Sequence, residues 1–272
     1  MKKLFILFSL VTIISLCSFA QAANRVVIIP LNSSSPVYVA GQEITSLPAT
    51  ISTPGFYFIT KDLSSDSSLP GIAITADNVT LDLMGFSLVG PGASFVSSNG
   101  IHMDGRSNVE IRNGTVRSFP GSGIYEPSSA PTTAGHRILN MRVTGNGKHG
   151  IRMVGANHIV ERCTAWDNTD AGISVGIGAN VSNNSSYNNG DGIMTGGGAR
   201  VTGNVCYDNT RYGIYTAFGS TVTNNTSYSN GGIGIYLVGN CYADQNCAYD
   251  NEGSVNMNTS CSNCTFGTNH AP

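Results

Sequence analysis

The ionisable side chains in the middle of this sequence are few, and their types are those of acid–base chemistry. Only 11% of the 272 residues are charged. Six groups that can exchange a proton or bind an anion nevertheless fall close together along the chain: Lys148, His149, Arg152, Asp170, Asp191 and Arg211. Paired carboxylates can serve as acid and as base or nucleophile in glycoside hydrolysis. Alternatively, an arginine can neutralise the carboxylate of a uronic acid while Lys148, His149 or an arginine abstracts a proton for β-elimination.

A competing interpretation assigns these residues no chemistry. Aspartate is common in turns because its side chain bonds to the neighbouring backbone. Asp170 and Asp191 would then be turn residues, and the arginines would belong to a solvated face.

Four tyrosines accompany the charges and are expected to bind substrate: Tyr125, Tyr212, Tyr215 and Tyr236. Aromatic rings combine flat apolar faces with a polar tip. With charges beside them, such faces suit an extended sugar chain. In the alternative interpretation the tyrosines only stack on one another.

A repeat of 20 to 27 residues connects these positions. Its start is a Gly-Ile pair, whose glycine stands at positions 100, 123, 150, 172, 192, 213 and 234. Two asparagine columns follow in phase, one at 184, 204, 225 and 246, the other at 168, 189, 209, 230 and 251. Cys163 fills the first column one repeat earlier. An aromatic column lies between the two asparagine columns. It contains Tyr187, Tyr207, Tyr228 and Tyr249, and Trp166 extends it upstream.

The repeat predicts an all-β fold, a single-stranded right-handed parallel β-helix. Each repeat contains short runs whose side chains alternate inward and outward. Gly, Asn and Asp between the runs tolerate the left-handed conformations of sharp turns. One repeat cannot bury a core alone, but coils stacked ~4.8 Å apart form continuous parallel sheets. We expect the repeat isoleucines to form one buried ladder and the asparagines to bond along the axis.

Composition excludes several other classes of protein. The chain contains 33 Gly and 27 Asn, which are poor helix formers, so long helices are not expected. Its formal charge of −2 provides no basic excess for nucleic acid. The 40% hydrophobic content argues against disorder.

The first 22 residues have the pattern of a secretory signal peptide. Lys2 and Lys3 precede an apolar run from 4 to 16, and Ala20-Gln21-Ala22 supplies a cleavage signature. The run is shorter than the ~20 residues that span a bilayer. We therefore expect a secreted or periplasmic protein without membrane attachment after cleavage. Residues 23–70 are predicted to form an N-terminal cap and the first strands, 71–255 the β-helix, and 256–272 a C-terminal coil.

The cysteines predict how that C-terminal coil is closed. Six follow the cleavage site: Cys163, Cys206, Cys241, Cys247, Cys261 and Cys264. An oxidising compartment permits disulfides. The 20-residue spacing of Cys241 and Cys261 places them at one offset on adjacent coils, which predicts a disulfide there and a second one between Cys247 and Cys264. Cys163 and Cys206 are expected to be separate buried thiols.

No metal or other cofactor is expected. A calcium ion needs several oxygen ligands, and Asp170 and Asp191 are the only obvious candidates. Half of a zinc site at Cys261-x-x-Cys264 lacks a second pair at metal spacing. Copper needs clustered His, Cys or Met. The histidines occupy different repeat offsets when counted along the sequence, which predicts scattered side chains: His102, His136, His149, His158 and His270.

Two segments near the start resemble a known family. Pro54-Gly55-Phe56-Tyr57 followed by Asn78-Val79-Thr80-Leu81-Asp82-Leu83-Met84-Gly85-Phe86 is similar to the opening of secreted bacterial proteins with pectin-lyase-like right-handed β-helix repeats. That group includes the periplasmic NosD-type proteins. Met84 stands where Asn is usual. The resemblance covers about residues 45–255 and implies the fold, whereas the superfamily holds lyases, hydrolases, epimerases and non-catalytic members.

One motif is similar to that of polygalacturonases within this superfamily. Asn168-Thr169-Asp170 resembles their Asn-Thr-Asp, and His149-Gly150 resembles part of their Gly-His-Gly. Here the histidine precedes the first motif instead of following it, and Asp191 has no aspartate beside it. The order disfavours polygalacturonase activity.

Together these features predict an exported β-helix protein that binds a polysaccharide or cell-envelope glycan. If it is an enzyme, it is expected to be a polysaccharide lyase, an epimerase or a glycoside hydrolase. The alternatives are a non-catalytic structural or envelope-interaction protein and a NosD-like periplasmic accessory protein. The sequence does not fix the substrate or the oligomeric state.

Overall fold

A computed structural model describes residues 24–29, 37–92, 98–103, 105–127 and 135–272, with side chains from residue 41 onward. The predicted signal peptide, residues 1–22, lies outside the described residues. The described chain forms 28 short β-strands. In chain order these are β1 (Asn24–Ile29), β2 (Val37–Glu43), β3 (Ala49–Ile51), β4 (Gly55–Phe58), β5 (Leu63–Ser64), β6 (Ile72–Ile74), β7 (Val79–Asp82), β8 (Ser87–Val89), β9 (Ile101–Met103), β10 (Glu110–Arg117), β11 (Ile124–Glu126), β12 (Arg137–Thr144), β13 (Ile151–Met153), β14 (Ile159–Glu161), β15 (Thr164–Trp166), β16 (Ala171–Val175), β17 (Asn180–Ser182), β18 (Ser185–Tyr187), β19 (Asp191–Thr195), β20 (Arg200–Thr202), β21 (Val205–Tyr207), β22 (Ile214–Thr216), β23 (Thr221–Thr223), β24 (Thr226–Tyr228), β25 (Ile235–Leu237), β26 (Tyr242–Asp244), β27 (Cys247–Tyr249) and β28 (Thr265–Phe266).

The strands build two parallel sheets around one interior. The front sheet has nine strands, ordered β3, β6, β9, β11, β13, β16, β19, β22 and β25. The back sheet has nineteen strands, and in the regular coils two short strands such as β17 and β18 lie in it one after the other. An antiparallel pair, β1 with β2, precedes the first coil. The predicted all-β parallel β-helix is confirmed.

The repeat isoleucines form the predicted buried ladder on the inner side of the front sheet. Ile151, Ile173, Ile193 and Ile214 occupy matching positions on successive strands, and each is fully buried. The glycine before each isoleucine lies against the next coil. A Cβ on Gly192 would collide with the carbonyl oxygen of Gly213. Close stacking of the coils therefore explains why the repeat begins with Gly.

Both asparagine columns are buried hydrogen-bonded ladders. The Oδ1 atom of Asn204 accepts hydrogen bonds from the backbone N–H and the Nδ2 of Asn184, at 3.0 and 2.9 Å. Asn209 accepts from Asn189 in the same way, at 3.1 and 3.2 Å. Cys163 begins the first column, because its N–H donates to Asn184 at 2.8 Å. Each ladder therefore connects consecutive coils along the axis.

The residue before each ladder asparagine forms a corner of the coil. In the second column these residues are Asp167, Asn188, Asp208, Ser229 and Asp250, all with φ between 52° and 54°. Asn and Asp adopt this left-handed conformation more readily than most residues. The aspartates of this column are thus explained by backbone geometry, without a ligand.

The aromatic column runs along the outside of the back sheet. Ring centroids of consecutive members from Trp166 to Tyr249 lie 4.8 to 6.0 Å apart, and the planes agree within 10°. The rings therefore cover one another's faces. Stacking of this kind stabilises successive coils.

Candidate functional site

The outer side of the front sheet carries a row of side chains that face solvent. Matching positions on successive strands are occupied, from β9 onward, by His102, Tyr125, Arg152, Ser174, Met194, Tyr215 and Tyr236. Neighbours in this row lie one coil apart, ~4.8 Å. The row thus forms a long surface parallel to the helix axis.

A pocket of about 460 Å³ opens at the level of β11 and β13. Its lining contains four of the side chains that the sequence singled out for chemistry, together with a tyrosine and two small polar residues: Asn99, Ser122, Tyr125, Lys148, His149, Arg152 and Asp170. The structure therefore brings Lys148, His149, Arg152 and Asp170 together. Two cationic groups, an imidazole and a carboxylate share one opening to solvent.

His149 is the centre of this pocket. Its Nδ1 faces the backbone N–H of Ala171 at 3.2 Å, and its Nε2 lies 2.7 Å from Nη1 of Arg152. A neutral imidazole has one lone pair on its two nitrogens. Ala171 and Arg152 therefore compete for it, and any group that draws the guanidinium away frees Nε2 for proton exchange.

The electrostatic surroundings keep His149 neutral. Burial lowers the pKa of its imidazole, and the Arg152 charge lowers it further, while Asp170 opposes both. The Asp170 Oδ2 atom lies 3.8 Å from Nε2, and this carboxylate is 45% exposed. The imidazole thus lies between a guanidinium and a carboxylate, an arrangement through which a general base can exchange a proton.

The structure does not pair Asp170 with Asp191. The two aspartates stand on neighbouring coils, and in the β16–β19 register Asp191 lies opposite Ala171, one residue beyond Asp170. Asp191 is buried, where it binds Arg211 Nη2 at 2.5 Å and the N–H of Tyr212 at 3.2 Å. Asp170 therefore lines the pocket, and Asp191 does not.

The other predicted binding residues form a second surface, the tyrosine platform, defined here as Tyr212, Tyr215 and Tyr236. Tyr215 and Tyr236 stack at 5.4 Å with planes 4° apart, and Tyr212 tilts against both. The platform begins three coils beyond Arg152, ~14 Å along the axis. Arg211 directly precedes Tyr212 of this platform and does not line the pocket, although its charge still lowers the pKa of His149.

Sequence reasoning missed Asn99 and Ser122, yet a signal for them exists. Both directly precede a repeat glycine, as do His149 and Asp191. Side chains at this position accept a backbone N–H from the next coil, as Asn99 does from Ser122 at 2.8 Å. The column before the repeat glycine therefore holds polar groups at the edge of the front sheet.

The expectation that all histidines lie at different offsets is wrong for one pair. His136 and His158 occupy one column inside the helix, because Arg137 pairs with Ile159 in the next coil. Their rings stack at 5.1 Å with planes 3° apart. In the part of the chain that the structure describes, no group of three or more His, Cys, Asp or Glu has the arrangement of a metal site.

The cysteine pairing also differs from the expectation. Cys261 is joined to Cys264, and Cys241 and Cys247 are free thiols. The coil before the C-terminus is longer than counted: Tyr242 pairs with Thr265, which places Cys264, not Cys261, opposite Cys241. The Cys241 N–H accordingly donates to the Cys264 sulfur at 3.3 Å. As expected, Cys163 and Cys206 are separate buried thiols.

The described residues include no helix that is apolar and long enough to span a bilayer. Comparison with known families matches residues 99–251 to the family described as right handed beta helix region. A search of curated proteins by sequence finds no match.

Several solved structures are similar in fold. The A-module of Azotobacter vinelandii mannuronan C-5 epimerase AlgE4 superimposes with a TM-score of 0.62 at 17% identity, covering 80% of this chain and 70% of that one. The Dettilon tailspike protein superimposes with a TM-score of 0.59 at 18% identity, covering 84% of this chain and 59% of that one. Pectate lyase Pel9A superimposes with a TM-score of 0.51 at 18% identity, covering 77% of this chain and 71% of that one. At these identities the likeness concerns the fold.

Proposed function

Because the chain belongs to the right-handed β-helix family, we propose that its front-sheet pocket binds an acidic polysaccharide and acts on it by proton transfer. The observation that carries the proposal is the position of the His149 imidazole between Arg152 and Asp170. Two proteins of similar fold are a mannuronan C-5 epimerase and a pectate lyase, which supports this substrate class.

Four of the pocket residues have roles in this chemistry. A uronate carboxylate attracts the Arg152 guanidinium and the exposed Lys148 ammonium, which stabilise the charge that develops when the carbon beside it loses its proton. Arg152 then moves away from His149. For Nε2 to take that proton, Nδ1 must carry the imidazole hydrogen and release the N–H of Ala171 that it accepts in the resting pocket. Delivery of a proton from solvent to the opposite face of that carbon gives epimerisation, and departure of the glycosidic oxygen, protonated by solvent, gives elimination. Asp170 holds the imidazole in place once it is charged.

The test uses a panel of uronans and neutral glycans with the exported chain. Unsaturated sugar ends, or solvent deuterium incorporated at the acidic carbon, are expected with a uronan. His149→Gln and Arg152→Gln are expected to lower the rate at least 100-fold, as loss of a general acid–base does. Arg200→Gln is the matched control, because Arg200 is an exposed arginine of β20 in the back sheet. Full activity of both pocket variants would refute the proposal.

A non-catalytic role in the cell envelope is the second candidate, and the tyrosine platform favours it. Its rings lie outside the pocket, and they offer faces for a glycan without any acid–base group except the paired Asp191 and Arg211. Binding of a glycan that Tyr236→Ala weakens, without turnover of any substrate in the panel, would support this candidate. In both cases we propose that the protein works outside the cytoplasm, in keeping with its N-terminal sequence.

A further inference from the structure

Inside the helix, at the end of β11, lies a cluster of ionisable side chains that the proposed chemistry does not use. It consists of Glu126, His136 and His158, defined here as the buried His–Glu cluster, and all three are fully buried. Nε2 of His158 lies 3.6 Å from Oε2 of Glu126. Within the described residues, Oε1 of Glu126 and the Nε2 atoms of both histidines have no hydrogen-bond partner.

The backbone fixes which nitrogen of each ring carries the proton. The N–H of Val109 donates to Nδ1 of His136 at 3.1 Å, and the N–H of His136 donates to Nδ1 of His158 at 3.3 Å. Each Nδ1 therefore keeps its lone pair, and each Nε2 carries the hydrogen. Each imidazole Nδ1 thus accepts a backbone N–H from the neighbouring coil, as the asparagine Oδ1 atoms do in the two ladders. A metal ion would need the lone pair on Nε2, so this tautomer does not fit one.

A positive charge on either ring is incompatible with these bonds. An imidazolium carries hydrogen on both nitrogens, so its Nδ1–H would face a backbone N–H. Protonation must therefore break a contact between two coils. Burial, the first cause, lowers the pKa of His136 and of His158 to about 4.

The surrounding groups only partly oppose burial. For His136, the neighbouring His158 lowers the pKa further, whereas Glu126 on β11, the carbonyl of Arg106 and Asp77, which precedes β7, raise it. For His158, the backbone of Gly155 raises it. The neutral state is therefore the one the folded coils favour.

The cluster also connects the strands that carry two pocket residues. Glu126 directly follows Tyr125 in β11, and its Oε2 accepts the N–H of Gly155 at 2.9 Å. Gly155 follows β13, which carries Arg152. We propose that the buried His–Glu cluster is an acid-sensitive latch. While both rings are neutral, it holds together the coils that contain Val109, His136 and Gly155, and when one ring is protonated these contacts between coils open.

Amide hydrogen exchange measures the latch without any substrate. The N–H groups of Val109 and His136 report its opening. A histidine that titrates near 6.5 when open and about 4 when closed raises the opening equilibrium on the order of 60-fold between about pH 7 and about pH 4.5. His136→Asn with His158→Asn retains an acceptor for each N–H but cannot titrate, and it is expected to abolish this increase.

His270→Asn is the matched control, because His270 is exposed and its loss is expected to leave the increase unchanged. Equal pH dependence in the wild type and the double variant would overturn the latch. If the double variant does not fold, the ring carbon NMR shifts of the wild type decide the question. Midpoints near 4 for both buried histidines support the proposal, and midpoints above 6 refute it.

Discussion

Replacement of Asn204 by alanine tests whether the asparagine ladders hold the coils together. Asn204 is fully buried. Its Oδ1 accepts two hydrogen bonds from Asn184, and its Nδ2 donates to the carbonyl oxygen of Val181 and to Oδ1 of Asn225, at 2.9 and 3.0 Å. Alanine leaves the backbone N–H of Asn184 in the interior without an acceptor.

The expected loss follows from those contacts. A buried polar group left without its partner costs ~1–3 kcal/mol. The Asn184 N–H is such a group, and Val181 loses a donor, while the Asn184 amide retains its bond to the carbonyl of Val160 at 3.0 Å. We expect Asn204→Ala to lower the free energy of unfolding by ~3 kcal/mol.

Urea unfolding followed by far-ultraviolet circular dichroism measures the loss. Asn224→Gly is the matched control, since Asn224 is exposed at φ 57° and glycine adopts that conformation without strain. It is expected to change the free energy by less than ~1 kcal/mol. Similar small changes for both variants would show that the ladder contributes little. A lower m-value for Asn204→Ala would indicate that the coils unfold in separate steps.

Three further outcomes are expected. Cys163 and Cys206 should resist thiol reagents until the protein is unfolded, because burial raises the pKa of both thiols, that of Cys163 to about 12; rapid labelling of native protein would contradict this. Gly192→Ala should destabilise the fold by ~2–3 kcal/mol in thermal or urea unfolding, because its Cβ collides with the next coil. Asp191→Asn should lower the melting temperature, and less so in 1 M salt, because it loses the charge of its bond to Arg211; an effect independent of salt would assign the loss to packing.

The sequence predicted the repeating part of the fold because each repeat position has one physical task. An inward isoleucine such as Ile193 must be apolar, and a ladder residue such as Asn204 must accept an N–H and donate at the same time. Few side chains meet those demands, so the columns can be read directly from residue types. Glycine before the isoleucine is required by the close approach of the next coil.

The site was less predictable because register depends on turn lengths, which the repeat count averages. The last coil shows this: 20 residues counted from Cys241 give Cys261, whereas the pairing of Tyr242 with Thr265 places Cys264 opposite Cys241. Asp170 and Asp191 stand at different distances before their repeat glycines, and the structure accordingly pairs Asp191 with Ala171. His149 was among the predicted residues, since it precedes a repeat glycine and has charged neighbours.

The asparagine ladders also bear on how the length of such a protein can change. From Gly172 to Asn251 every coil presents the same bonding groups to the coil above and to the coil below. Removal of residues 193–213 would join Gly192 to Ile214 and still leave each amide opposite another amide. The helix can therefore lengthen or shorten by whole coils. Removal of one coil would bring the pocket and the tyrosine platform one coil closer without creating a new kind of contact between coils.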